Sequence, residues 1–333
     1  MESNNSQLHF FQHIKSLLPQ HISFVDEVAE LLGVSNDSAY RRIRSEKSIS
    51  FEELQILCSH YKISLDQFLH LQSDGIIFSG RVNTASATQF EDYLKNVLQQ
   101  FQLMNSFASR HLYVLMKDIP PFTHFQIPEL AKFKFYFWMK SILHDPQLKQ
   151  VKFSLDDPRY EQFMPLSKKV IESYNTIPVT EIWNIESINS SLRQIDFYRQ
   201  SGMYKSKNEI KLLYEKMEEL VNHIERQAEL GVKFFIGTEP AAGAAAYNMY
   251  VNELILGDNT YLAQLDTMRL TFLNHSVLYF VSTRDEQFNN AMFNNLDNLA
   301  KKSTQISRSS EKERVRFFNR LRDKVHHFQS LLD

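Results

Sequence analysis

A chain of 333 residues, 43% of them hydrophobic and 26 of them phenylalanine, holds apolar material for more than one packed core, since one core rarely grows past about 250 residues. A formal charge of -2 excludes a general polycation, so contact with nucleic acid has to come from a local basic patch. The single cysteine, Cys58, excludes an intrachain disulfide, Met1–Asn5 lacks the blocks of a secretory leader, and no run reaches the roughly 20 apolar residues of a membrane span, so a soluble cytoplasmic protein with no membrane partner is expected.

Residues 8 to 70 are dense in helix signals. Leu8, Phe11, Ile14, Leu17 and Leu18 recur at helical spacing and Pro19 follows. Ser23 to Asp26 reads as a capping pair, and Ser50-Phe51-Glu52-Glu53 and Ser64-Leu65-Asp66-Gln67 read as capping boxes. Five short helices are predicted here. Between the second and third, Gly33-Val34-Ser35 supplies a sharp turn, with glycine tolerant of a positive φ. Val28, Leu32, Val34, Ala39 and Ile43 form one shared apolar face, and Ala29 is small where the helices must approach. Ser35 or Asn36 caps the third helix, and Asn36, Asp37, Ser38, Tyr40, Arg41 and Arg44 are left facing outward.

The stretch from Val34 to Arg44 resembles the helix-turn-helix of bacterial repressors and invertases. The wider arrangement resembles the lambda-repressor class and, more narrowly, the BetR-type N-terminal domain. The resemblance covers about residues 8 to 70. It implies a transcription regulator that binds double-stranded DNA with Asn36 to Arg44 in the major groove. Arg41 and Arg44 would then clamp guanine edges or phosphates, and Ser35, Asn36 and Ser38 would lie near base edges at the helix start. Tyr40 would meet a phosphate or a thymine methyl, and Lys47 the backbone beyond the helix. Charge argues the other way. Residues 21 to 70 hold five basic and eight acidic side chains, a net of -3, so one copy binds weakly and a homodimer is expected.

Beyond residue 72 the pattern changes, which predicts a helix-turn-helix domain at 1–72 and an α+β sensor and dimerisation region at 73–333. Ile76, Ile77, Phe78 and Val82 suggest a strand, and Ser86 to Gln89 a capping box opening a helix to about Phe107. His111 to Met116 reads as a strand and Ile127 to Leu143 as a buried aromatic helix, whose Phe135 to Trp138 cluster is core or the lining of a small-molecule pocket. Residues 159 to 230 read as helices, with long ones over 185–230. There Ser206 to Glu209 caps a helix whose Ile210, Leu213, Met217, Leu220 and Ile224 form either an internal face or a dimer seam. Residues 237–246 read as a flexible connection. Residues 247–282 read as an antiparallel meander with turns at Gly257-Asp258-Asn259 and Asn274-His275. Helices at 284–331 complete a fold that is mainly α with an α+β C-terminal part. The first of them is capped at Thr283 to Glu286, and the last opens at a Ser310 to Glu313 capping box. Residues 301–324 carry nine basic and three acidic side chains, a solvated face or an added set of phosphate contacts.

No Walker loop, dinucleotide fingerprint, His-Glu-x-x-His or paired-cysteine motif is present, so neither an enzyme nor a cofactor or metal is expected. His326-His327 point differently on one helix and make no metal face. The C-terminal region is expected to sense a small molecule or protein effector and shift the spacing of two recognition helices. The competing expectation is a helix-turn-helix used as a protein-interaction module on a scaffold or an unrecognised enzyme.

Overall fold

A computed structural model describes residues 6–19, 22–69, 75–80, 89–254, 257–276 and 278–332. Five helices come first: α1 (Ser6–Ser16), α2 (Phe24–Leu32), α3 (Asn36–Ile43), α4 (Phe51–Tyr61) and α5 (Leu65–Phe68). They enclose a core of their own, built on Phe10, Phe11, Ile14, Val28, Ala39 and Leu57. Leu32, Val34 and Ile43 lie at its margin, as the apolar pattern requires. Ser50 forms the expected capping box with Glu53. Ser23 stands at the N-cap of α2, but its side chain makes no capping bond. The Ser64 box falls on Asp66 and Gln67, whose side chains lie outside the description.

The rest is built on one eight-stranded sheet. In chain order come β1 (Ser79–Gly80), α6 (Gln89–Asn105), β2 (Arg110–Met116) and α7 (Pro128–Phe137), which runs on through a π-helical turn at Trp138–Ile142. Then follow α8 (Met164–Asn175), β3 (Val179–Trp183), α9 (Asn189–Gln200), α10 (Lys207–Leu230), β4 (Tyr247–Val251), β5 (Thr260–Leu265), β6 (Met268–Asn274) and β7 (Phe280–Thr283). Helix α11 (Glu286–Lys301), β8 (Thr304–Gln305) and α12 (Glu311–Ser330) close the chain. Strand order is β1-β7-β6-β5-β2-β3-β4-β8. Strands β2, β3 and β4 run parallel, with Leu112 opposite Val179 and Val179 opposite Tyr247. The other pairings are antiparallel. Helix α11 covers the face that carries Ile182 and Leu262, and the large aromatic core fills the opposite face.

Several sequence expectations are corrected. Strand β3 lies inside the stretch read as helical. It is buried on both faces, so it shows no alternation, and Pro178 before it and the Asn184 cap after it are its real signals. The sheet is mixed rather than antiparallel. Strand β4 leaves the expected meander to lie beside β3, reached by the crossover through α9 and α10, and the meander is β5-β6-β7. Its first turn falls at Asp266, with φ 51, instead of at 257–259. Ile76 to Phe78 are not strand; the pairing is at Ser79 and Gly80, and Val82 and Ser86 to Thr88 lie outside the described residues. The 185–230 stretch is a 3-10 turn at Ile185–Ile188 followed by two separate helices. Ser310 adopts a left-handed φ of 56 and makes no cap bond, so the last capping box is absent.

Helix α10 does open on a Ser206–Glu209 capping box, and its Ile210 to Ile224 stripe is buried within the chain. That stripe packs in the large core with Phe318, Leu321 and Val325 of α12, so it is not free to form a dimer seam. Among the described residues, no helix is long and apolar enough to cross a membrane.

Candidate nucleic-acid interface

Helix α2 ends in a two-bond lock. Gly33 sits at φ 63, its amide donates to Glu30 and the Val34 amide to Ala29 at 3.0 Å, which is a Schellman closure. The chain then turns directly into α3, where the Ser35 hydroxyl accepts from the Ser38 amide at 3.3 Å and caps the helix. Ala39, fully buried, lets α3 lie against α2, and Asn36 ties the pair again by donating to Asp26 at 2.7 Å.

The two adjacent arginines of α3 part company. Successive residues on a helix differ by about 100°, so Arg41 and Arg42 face opposite environments. Arg42 is 5% exposed. Its Nε donates to Glu53 at 3.0 Å, one terminal nitrogen to the other carboxylate oxygen at 2.6 Å, and the second to the Ser38 hydroxyl at 2.5 Å. This planar fork joins α3 to α4 and holds the Glu53 carboxyl below its usual range. Glu53 also accepts the Ser50 amide, so one carboxylate serves both the cap and the arginine. Arg41, exposed, has no ion pair or side-chain hydrogen bond among the described residues.

Asp37, Tyr40, Arg41 and Arg44 form the exposed stripe at helical spacing. Arg44 lies over the Tyr40 ring, 5.5 Å from its centre, donates to the Tyr40 hydroxyl at 3.3 Å and pairs with Glu46 at 3.4 Å. Lys47 is exposed in the loop after α3. That loop is held by Gln7 of α1, whose amide donates to the carbonyls of Arg42 and Lys47 at 2.8 and 2.7 Å and accepts from the Ile49 amide. Of the seven residues picked from the sequence, Tyr40, Arg41, Arg44 and Lys47 therefore present side chains outward. The Ser35 and Ser38 hydroxyls are engaged within the helix, and the Asn36 amide is engaged by Asp26. Compared with protein-family models, curated proteins and solved structures, the chain matches none.

The Gln7 clasp and the Arg42–Glu53 pair escaped sequence reasoning, although Glu53 was read as the end of the Ser50 capping box. Arg42 lies three residues after the inward-facing Ala39, and that spacing is the signal that separates it from Arg41.

The basic 301–324 segment is largely engaged inside the chain. Lys301 pairs with Asp297, Arg316 with Glu313, Arg320 with Glu253, Arg322 with Glu225 and Lys324 with Glu186. Arg308 donates to the Gly231 carbonyl, and Arg314, buried, donates to Ile306 and Ser309. Groups of residues able to hold a metal are absent among the described residues, and His326 pairs with Glu218 instead.

A second grouping has the residue types of a hydrolytic site. The Ser191 hydroxyl lies 3.0 Å from His124 Nε2 and 2.9 Å from Lys134 Nζ. Burial pulls the Lys134 ammonium down to about 7 and His124 well below its ordinary value. His124 is 0% exposed and Lys134 5%, so a substrate has no approach to these groups and the cluster reads as a satisfied polar knot in the core.

Proposed function

We propose that this chain is a sequence-specific DNA-binding transcription regulator in which α2 and α3 form a helix-turn-helix and α3 is the reading helix. The observation that carries the proposal is the division of labour on α3. Ala39 and Arg42 hold it against α2 and α4, and the opposite stripe presents Tyr40 and Arg41 with Arg44 and Lys47 beyond. A helix fixed from behind and offering arginines in front fits a major groove. Arg41 meets a base edge or phosphate as a free fork. Arg44 must exchange Glu46 for its target, and Lys47 holds backbone phosphate.

Two copies act together. The acidic balance of residues 21–70 and the internal pairing of the 301–324 cations leave a single copy few phosphate contacts. Residues 1–72 are the DNA-binding domain, and the sheet-centred remainder joins the copies and sets when they bind.

Selection of random duplexes by gel shift tests this. One sequence class is enriched by the wild-type chain, and Arg41→Ala with Arg44→Ala weakens binding to it by roughly ten-fold or more. If no sequence is enriched and the double variant binds as the wild type does, the proposal fails. Sedimentation tests the dimer: a chain that stays monomeric at micromolar concentration, with and without DNA, removes that part of it.

A further inference from the structure

A broad groove lies at the end of the sheet where β2, β3 and β4 begin. It holds ≈ 780 Å³, within the range of sites for small molecules. Ala108 to Arg110 and the last turn of α8 form one side, and the loop from Phe234 to Ala245 forms the other. That loop is the small-residue stretch after α10, and turns hold it in place. The Thr238 amide donates to Phe235 and the Ala244 amide to Ala241, both at 3.1 Å, and the Lys233 amide donates to Ala245 at 2.9 Å. Its alanines leave the backbone itself as the wall, and Gly243, at φ 77, has open space where a side chain would stand.

The charged residues of the groove are of two kinds. The cations are spent on the chain. Arg110 donates to Asn105 and to the Phe107 and Thr176 carbonyls, and Lys233, 4% exposed, donates to the Tyr174 carbonyl at 2.7 Å. The carboxylates are not spent. Glu239 is exposed and has no ion pair or side-chain hydrogen bond among the described residues, and Glu172 has Lys168 no nearer than 4.0 Å. The carboxyl ends of α6 and α8, joined by the Asn105 amide donating to Ser173, add partial negative charge beside them. Asn175 follows Glu172 by three residues on the same face of α8. It lines the groove, is 8% exposed, and its Nδ2 has no hydrogen-bond partner among the described residues. Buried polar atoms are ordinarily paired, so a donor left unmet on a groove wall points to an acceptor that arrives from outside.

We propose that this groove binds a small lysine-like amide, a molecule whose ammonium pairs with Glu172 and Glu239 and whose carbonyl oxygen, a short apolar stem away, accepts from Asn175. Side chains three apart on a helix stand about 5–6 Å from each other at Cβ, a span that an aliphatic stem of about four carbons matches. Phe235, 36% exposed, offers that stem an apolar flank. An anion is disfavoured, because it meets unspent carboxylates while the cations of the groove are already taken. The role of such a ligand as effector rests on the regulator reading above. Ser109, on the groove wall, donates its amide to the Asp266 carboxylate at 2.8 Å and accepts the Asp266 amide at 2.7 Å. Strand β6 begins two residues on, at Met268, which packs against both cores.

The test is made on the full chain without DNA, so failure of ligand binding and failure of DNA binding are separate results. Three probes are titrated by calorimetry: N-acetyl-lysinamide, N-acetyl-norleucinamide, which lacks the ammonium, and pentylamine, which lacks the oxygen. N-acetyl-lysinamide is expected to bind saturably, and each of the others roughly five-fold more weakly or less, the worth of about one hydrogen bond. The double variant E172Q/E239Q, changed only at the rim, is expected to weaken N-acetyl-lysinamide by roughly five-fold or more and to leave N-acetyl-norleucinamide unchanged. Asn175→Leu is expected to weaken N-acetyl-lysinamide by a similar factor and to leave pentylamine unchanged. In wild-type protein labelled at alanine methyls, the Ala242 and Ala244 resonances are expected to shift on adding N-acetyl-lysinamide, which keeps the test whole where a variant does not fold. No saturable N-acetyl-lysinamide binding, unmoved Ala242 and Ala244 methyls, either control binding as tightly, or a folded variant with unchanged N-acetyl-lysinamide affinity each overturns the proposal.

Discussion

The five N-terminal helices and the sheet-centred body treat buried charge differently. The N-terminal core is small and apolar, and Arg42, fastened to Glu53 near the surface, is the buried cation of that region among the described residues. The body buries Glu181, Lys134, Lys233 and His124 among aromatic rings. Glu181 alone accepts from Tyr174, Trp183 and Tyr247 at 2.7–2.8 Å, and Lys233 donates to the Tyr174 carbonyl while lying 3.1 Å from that ring's centre. A core of nine buried residues is tied at its margin by a few polar clasps, of which Arg42–Glu53 is the buried ion pair. A larger core, cut by three parallel strands with no free edge between them, tolerates a network whose members satisfy one another.

The contrast is testable where it is strongest. Glu181→Ala leaves three buried donors without an acceptor and removes the counter-charge to Lys233. Loss of about 3–5 kcal/mol of body stability is expected in chemical denaturation. A loss under about 1 kcal/mol would mean that water replaces the carboxylate, and the contrast would collapse.

Next in size is the pair of neighbouring arginines. Arg42→Ala is expected to cost about 2 kcal/mol, because it strands Glu53 and the Ser38 hydroxyl, and Lys at the same position restores little, since it lacks the fork. Arg41→Ala is expected to leave the melting curve unmoved while weakening duplex binding. Equal losses of stability from both would show that the two side chains share one environment.

The effect smallest per step of the measurement is a slope. Lys134 titrates near 7 in the folded chain and near 10.4 when unfolded. Between those values the unfolded chain holds a proton that the folded chain lacks, so stability rises with pH from about 7 toward 10, by no more than about 1.4 kcal/mol per pH unit. Below 7 the cost of the buried charge is fully present. Buried tyrosines, raised by desolvation, reverse the trend once their unfolded counterparts ionise near 10. Lys134→Met is expected to flatten the rise in denaturation midpoint between pH 7 and 9 or so. A variant that keeps the wild-type slope would place the titration elsewhere.

The sequence was most legible where structure is local. The Gly33 turn, the Ser35 and Ser50 caps and the apolar spacing of α2 and α3 are each decided within a few residues. The body was legible element by element, at β2, α7, α10 and α11, but its assembly was not. Strand β3 lies between two parallel neighbours and is covered on both faces, so its sequence shows no alternation for periodicity to report. The departure of β4 from the meander is set by partners far along the chain. Of the residues read as facing outward, Asn36, Asp37, Tyr40, Arg41 and Arg44 are exposed and Ser38 is half-buried against Arg42, whose clasp on Glu53 the sequence did not reveal.

The opposition of Arg41 and Arg42 carries a consequence for how such a protein changes over time. What holds α3 in place is written at positions 39 and 42, and what it offers outward at 37, 40, 41 and 44. The outward set is exposed and can change at small cost in folding, so under the proposed function new targets can be acquired one substitution at a time on the same scaffold.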